Sequence, residues 1–171
     1  MRRDGSSAFG KNNHYGNFWA IGAMWKLKQE NFLKEVKWLS DLNLRFSTGL
    51  SGNALGGYNH ITTVKPDNFY QSKTAYTVGK LGNPDLRWEE QRKTTVGLNL
   101  VVDRGTSFNI EYYDRETYDM ISSRDLNSTT GQVQFYDNAG GMRNRGVDFT
   151  FSSVVYRSKN QDLTVRPYFN V

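Results

Sequence analysis

The sequence predicts an all-β chain of about six antiparallel, up-and-down strands, of the kind that build a transmembrane β-barrel. Three observations carry that reading. Residues 94–113 form a hairpin with strict two-residue alternation, the strand candidates run to roughly ten residues, and the connections alternate between long and short.

The hairpin is the clearest element. Val96, Leu98, Leu100 and Val102 share one face of residues 94–102, and Phe108, Ile110 and Tyr112 share one face of residues 108–113. Gly97, Asn99, Asn109 and Glu111 point the other way. Successive side chains leave a pleated strand on opposite sides, so this pattern requires two different surroundings. Asp103, Arg104, Gly105 and Thr106 supply the predicted turn, and the second strand has room to continue through Arg115 to Met120.

Four further strands are predicted. Residues 17–27 alternate weakly, with Trp19, Ile21, Ala23 and Trp25 against Phe18, Ala20, Gly22 and Met24. Residues 40–49 are clearer, setting Leu42, Leu44 and Phe46 opposite Asp41, Asn43, Arg45 and Ser47. Residues 146–156 place Val147, Phe149, Phe151 and Val155 opposite Asp148, Thr150 and Ser152. Residues 162–171 set Leu163, Val165 and Phe169 against Thr164, Arg166, Tyr168 and Asn170.

The connections separate two β architectures. About 40 residues join the second strand to the third and about 25 the fourth to the fifth, whereas 103–106 and 157–161 are tight turns. Sandwiches keep the loops short at both ends; outer-membrane barrels pair short periplasmic turns with long outer loops. On the short side, residues 28–38 carry Phe32, Leu33 and Val36 at helical spacing, the pattern of a single helical turn on the rim. Trp19, Trp25, Trp38, Phe46, Tyr112, Tyr113 and Phe169 lie near strand ends, as an interfacial belt requires; the alternative is that they fill a sandwich core.

Composition narrows the function. With 37% hydrophobic and 14% aromatic residues, the 171-residue chain suits strands better than helices. Its longest apolar run, residues 18–25, falls far short of the roughly 20 that a spanning helix needs. There is no Cys, so neither disulfides nor thiolate metal sites arise. His14 and His60 stand in unrelated segments without carboxylates at ligand spacing and read as loop histidines, so no metal site is predicted. The net charge of +5 comes from Lys and Arg spread over turns, which reads as loop solvation. Nucleic-acid binding would need aromatic and basic residues on one exposed face. Glu89 and Glu90 point apart in a strand, and no nucleophile, base and acid set is present. No catalytic or cofactor-binding residue is predicted, and the chain does not read as an enzyme. Arg2 and Arg3 are followed by no apolar run, so no signal peptide is expected in these residues.

Several segments resemble one family in order along the chain. Asp4-Gly5-Ser6-Ser7 with Phe9-Gly10-Lys11-Asn12 and Tyr15-Gly16 is similar to a DGSS-x-FG motif of the SusC/RagA-like, TonB-linked (TonB-dependent) outer-membrane transporters. Trp38-Leu39-Ser40-Asp41-Leu42, Gly52-Asn53 and Asn83-Pro84-Asp85-Leu86-Arg87-Trp88-Glu89 resemble the family's WLSDLKLR, TGN and NPDLKWE segments. Tyr112-Tyr113-Asp114-Arg115, Thr129-Thr130-Gly131 and the run from Asn138 to Val147 resemble its YYNR, TTG and N-x-G-x-M-x-N-x-GVE segments. Asp148 stands where the family usually has Glu, and Ser51 where Thr is common. Apart from the name, Asn83-Pro84-Asp85 is a turn signal, and Gly140, Gly141 and Gly146 bracket a polar return into a strand.

The resemblance implies that residues 1–171 are a partial TonB-dependent-receptor-like β-barrel domain, without the plug domain, signal peptide and TonB box of family members, whose barrels have about 22 strands. It also implies an outer-membrane parent that imports a glycan or peptide and meets membrane lipid, a SusD-like lipoprotein lid and TonB. Asn43, Arg45, Asn99, Asn109, Glu111, Asp148, Thr150 and Arg166 would then face a water-filled lumen, and Leu98, Leu100, Ile110, Phe149 and Phe151 would face lipid. Residues 50–90 and 118–140 would form outer loops, with Tyr58, Tyr70, Tyr76 and Tyr136 as candidate stacking surfaces for substrate. No cofactor is implied. The competing reading is a soluble β-sandwich glycan-binding module, which would pair its apolar faces sheet to sheet.

Overall fold

The computed structural model describes all residues except 71–72, 103–104, 128, 130–133 and 159–163, and leaves out the side chains of 68–70 and 157. The strands in chain order are β1 (Arg2–Gly5), β2 (Tyr15–Lys26), β3 (Leu39–Asn53), β4 (Thr63–Tyr70), β5 (Lys73–Lys80), β6 (Glu89–Val102) and β7 (Thr106–Tyr118). They continue with β8 (Ile121–Asp125), β9 (Gln134–Asn138), β10 (Met142–Ser152), β11 (Tyr156–Arg157), β12 (Thr164–Val165) and β13 (Tyr168–Asn170). Seven of them form one antiparallel sheet in the order β1-β2-β3-β6-β7-β10-β13. The strands β4-β5, β8-β9 and β11-β12 make separate two-stranded pairs. Neighbours in the main sheet follow one another along the chain once those excursions are set aside, which is the predicted up-and-down order.

Strand length agrees with the expectation. β2, β3, β6, β7 and β10 hold 12, 15, 14, 13 and 11 residues. A tilted strand needs about 9 to 11 residues to cross a bilayer, about twice the average globular strand.

Several boundaries differ from the sequence reading. Asp4-Gly5 falls on β1, a strand outside the predicted set, which pairs with β2 through Arg2 opposite Phe18 and Gly5 opposite Tyr15. Thr106 belongs to β7 rather than to the turn; Asp103 and Arg104 lie outside the described residues. The fifth strand starts at Met142 and ends at Ser152, four residues earlier at each end than the predicted span 146–156. The predicted strand 162–171 is broken into β12 and β13, because Pro167 lacks the N–H that a continuous ladder needs; Asp162 and Leu163 are outside the described residues.

Within residues 28–38 a single turn of helical type forms, with Leu33 and Lys34 N–H donating to the Glu30 carbonyl at 3.0 and 2.9 Å, but its apolar residues make no buried stripe. One short 3-10 turn covers Leu27–Gln29, and Phe32 is 67% exposed. The Lys28 ammonium instead organises the turn, donating to the carbonyls of Leu33, Lys34 and Val36 at 3.0, 3.1 and 2.7 Å.

The chain divides into two compact units. One comprises Met1–Trp19, Leu50–Arg92 and Glu116–Met142, the other Ala20–Gly49, Lys93–Arg115 and Arg143–Val171. In the first, Phe9, Phe18 and Leu86 are the large side chains fully withdrawn from solvent. Phe9 and Phe18 both pack on Trp88, with ring centroids 5.1 and 5.4 Å apart. Gly52 allows this close approach, since a Cβ there would lie 2.1 Å from the Phe18 ring. In the second unit Ile21, Trp25, Phe46, Val96, Ile110, Tyr112 and Val147 remain exposed. Among the described residues no second sheet covers those side chains, which removes the sandwich arrangement. No helix of the described residues is long and apolar enough to cross a membrane, a fact that does not bear on strands.

Candidate functional site

In the unit that holds Ala20–Gly49, Lys93–Arg115 and Arg143–Val171, alternation sorts side chains into an apolar and a polar face. Leu98, Leu100, Phe108 and Ile110 line one contiguous apolar groove. Phe108 meets Phe151, and Phe149 meets Phe169, at centroid distances of 5.1 and 6.4 Å. On β7 this face passes from Phe108, Ile110 and Tyr112 to Asp114, which takes two hydrogen bonds from Arg143 at 2.9 and 2.5 Å. The greasy stripe therefore ends at a charged pair, as expected where a strand leaves hydrocarbon for a polar boundary.

The opposite face is polar and connected. Arg45 on β3 reaches across β6 to β7, donating from Nη2 to Asn109 Oδ1 at 3.0 Å and standing 3.8 Å from Glu111. Gly97 on β6 makes the crossing possible, because a Cβ there would sit 3.3 Å from the guanidinium. Asn43 donates to Asp41 at 2.6 Å. Gly22, Met24, Arg45, Thr95, Gly97 and Glu111 border a shallow cavity of about 350 Å³. Asn43 Oδ1, Arg45 Nε and Thr95 Oγ1 are buried without a protein partner among the described residues, a condition that polar atoms tolerate where water or another polar surface reaches them.

Thus Arg45, Asn109 and Glu111 come together on one face, while Asn43, two residues before Arg45 on β3, bonds Asp41. Thr150 bonds Asn170 at 3.4 Å across the β10–β13 pair, and Asp148 is exposed on β10. Arg166 is not on a strand face, because it lies in the break between β12 and β13. Tyr113 also departs from the belt: it shares the polar side of β7, its ring set so closely on Gly146 that a Cβ there would lie 2.5 Å from the phenol oxygen.

The other unit is built by its motifs. Asn83 receives Asp85 N–H on its Oδ1 at 3.0 Å and donates to the Tyr136 carbonyl at 2.9 Å. Asn138 accepts from Arg87 N–H at 2.8 Å and donates to the carbonyls of Arg87 and Asp119 at 3.0 and 2.8 Å. Two asparagines thereby tie the segment after β5 to the β8–β9 hairpin. Of the loop tyrosines, Tyr58 and Tyr76 are 64% and 68% exposed, and Tyr136 lies under the Lys80 ammonium at 5.6 Å. The Tyr70 side chain is outside the described ones. His14 and His60, remote in sequence, are neighbours with ring centroids 6.3 Å apart, a correction to reading them as unrelated. Among the described residues no group of three or more His, Cys, Asp or Glu could hold a metal ion.

Sequence reasoning missed the hairpins inside the long connections. Tyr76 and Val78 alternating with Thr77 and Gly79 were a usable signal for β5. Pro66 argued against β4, yet a two-stranded ribbon tolerates proline because half of its ladder positions are unpaired.

These features define a class: a partial β-barrel whose main sheet has a membrane-type apolar face and a polar inner-type face. A family model described as TonB dependent receptor-like, beta-barrel, matches residues 1–170, and the chain belongs to that family. It is 34% identical to TonB-dependent receptor P39 of Formosa agariphila over 99% of the chain and 16% of that protein. It is 32% identical to TonB-dependent receptor SusC of Bacteroides thetaiotaomicron over 99% of the chain and 18% of that protein. Among solved structures, the RagAB peptide importer in its closed-closed state aligns with a TM-score of 0.88 and 34% identity, covering 98% of this chain and 18% of that one. The open-open state aligns with a TM-score of 0.83, covering 96% and 18%. The chain thus spans roughly a sixth of the length of the curated relatives it matches.

Proposed function

We propose that the parent protein is an outer-membrane, TonB-driven importer of a bulky nutrient, a glycan or a peptide, and that these residues supply part of its barrel wall and outer loops. The observation that carries this reading is the two-faced sheet: long strands with Leu98, Leu100, Phe108 and Ile110 on one side and the Arg45–Asn109–Glu111 network on the other. An apolar face left uncovered over five long strands requires hydrocarbon, and a linked polar face behind it requires water.

In this reading Tyr58 and Tyr76 are the loop rings best placed to stack on substrate, being exposed where Tyr136 is half-buried. A SusD-like lipoprotein lid and TonB act on the intact parent. The family resemblance supports that pairing, and a peptide cargo is supported by likeness to a peptide importer. No catalytic step is assigned.

The test is uptake by cells that carry or lack the parent, with labelled oligopeptides and oligosaccharides, before and after collapse of the proton-motive force. The expected result is loss of uptake of one of these classes on deletion and on uncoupling. Unchanged uptake of both classes in the deletion strain would refute the proposal.

A further inference from the structure

We propose that the turn joining β2 to β3 is an anionic-headgroup site, at which Lys26, Lys34 and Lys37 hold phosphates of acidic phospholipids while Trp25, Phe32 and Trp38 enter the headgroup–acyl boundary. The inference rests on the outer-membrane reading above.

Four lysines and two glutamates lie within residues 25–38, but they are not equivalent. Lys28 is consumed by the turn, with three backbone carbonyls around its ammonium at 2.7 to 3.1 Å. Glu30 is also occupied, accepting from the Trp25 indole at 2.8 Å. Lys26, Lys34 and Lys37 are exposed and make no ion pair among the described residues. Only the exposed Glu35 opposes them. The surplus of charge on this turn is therefore positive and free to meet an anionic surface.

The aromatic residues specify what kind of surface. Trp25, Phe32 and Trp38 are 51%, 67% and 61% exposed, large rings interleaved with free lysines on one short connection. Water is a poor partner for three such rings, whereas the bilayer interface takes the ring and lets a lysine stem reach the phosphate. The backbone is fixed beforehand. Leu33 and Lys34 N–H groups both donate to the Glu30 carbonyl, at 3.0 and 2.9 Å, and Val36 N–H donates to Leu33 at 3.1 Å. Little ordering cost remains for the lipid to meet. Charge complementarity selects an acidic bilayer surface over a zwitterionic one.

The experiment uses the full-length parent reconstituted in phosphatidylcholine vesicles with a minor fraction of phosphatidylglycerol. The emission difference between the parent and its Trp38→Phe variant isolates Trp38. Brominated lipids, which quench on contact, are compared at equal mole fraction. Brominated phosphatidylglycerol is expected to quench that signal at least about fivefold more effectively than brominated phosphatidylcholine, the factor for a single lysine–headgroup contact. Replacing Lys26, Lys34 and Lys37 together by Gln should remove the excess and leave quenching by phosphatidylcholine in place. Equal quenching by the two lipids, or a triple variant that keeps the preference, would overturn the site while leaving the barrel reading intact. Competition by inorganic phosphate, beyond that of sodium chloride at the same ionic strength, would also overturn it as a bilayer site. Quenching by neither lipid would instead remove the membrane reading on which it rests.

Discussion

The two compact units of this chain are ordered by different means. In the unit of Met1–Trp19, Leu50–Arg92 and Glu116–Met142, single side chains decide the structure: Phe18 lies over Gly52, Trp88 meets Phe9 and Phe18, and Asn83 and Asn138 each tie several backbone groups. In the unit of Ala20–Gly49, Lys93–Arg115 and Arg143–Val171, a repeated pattern decides it, with Arg45 over Gly97 and Tyr113 over Gly146 as local additions to simple alternation. Packing of the first kind fails when one residue is lost. Patterning of the second kind fails when a residue of the wrong polarity enters a face.

This contrast predicts unequal sensitivities. The largest effect is expected from Phe18→Ala, because a ring 2% exposed to solvent is removed and the glycines beneath it cannot refill the space. Equilibrium unfolding of the parent in lipid vesicles should show a loss of roughly 3 to 5 kcal/mol. A loss below that of an average surface substitution would place the aromatic cluster outside the stabilising core. Next comes Leu98→Arg, which sets a charge on the apolar groove and should cost roughly 2 to 4 kcal/mol in the same assay if the site is near the bilayer midplane. Asn99→Arg, one residue along and on the other face, should be far milder. Similar losses for the two would erase the distinction between pattern and polarity in this unit.

The legibility of the sequence follows the same division. Alternation at β3, β6 and β7 was readable because a two-residue period needs no knowledge of tertiary neighbours. The faces assigned to Leu98, Ile110, Arg45, Asn109 and Glu111 followed from it, and the groove and the hydrogen bond from Arg45 agree. What escaped depends on contacts between residues distant in sequence. The role of Lys28 inside its turn, the meeting of His14 with His60, and Tyr113 seated on Gly146 leave no local trace. Strand ends were misjudged where one residue forbids pairing, as at Pro167, and the four-residue strand carrying Asp4-Gly5 was too short and polar to show a period. The motifs themselves were recognisable, but their mechanism, two asparagines bridging backbone segments, became visible only in three dimensions.

The central claim is that one face of β6 and β7 touches hydrocarbon and the other touches water. The chain contains no Cys, so cysteines introduced singly at Leu98, Leu100 and Ile110 and at Asn99, Asn109 and Glu111 can be read cleanly in a parent freed of any other cysteine. Modification by a membrane-impermeant maleimide, normalised to the denatured protein, is the measurement. Labelling at Asn99, Asn109 and Glu111 with protection at Leu98, Leu100 and Ile110 is the predicted result. Labelling that ignores the two-residue period, or that follows it in the opposite phase, would contradict the account.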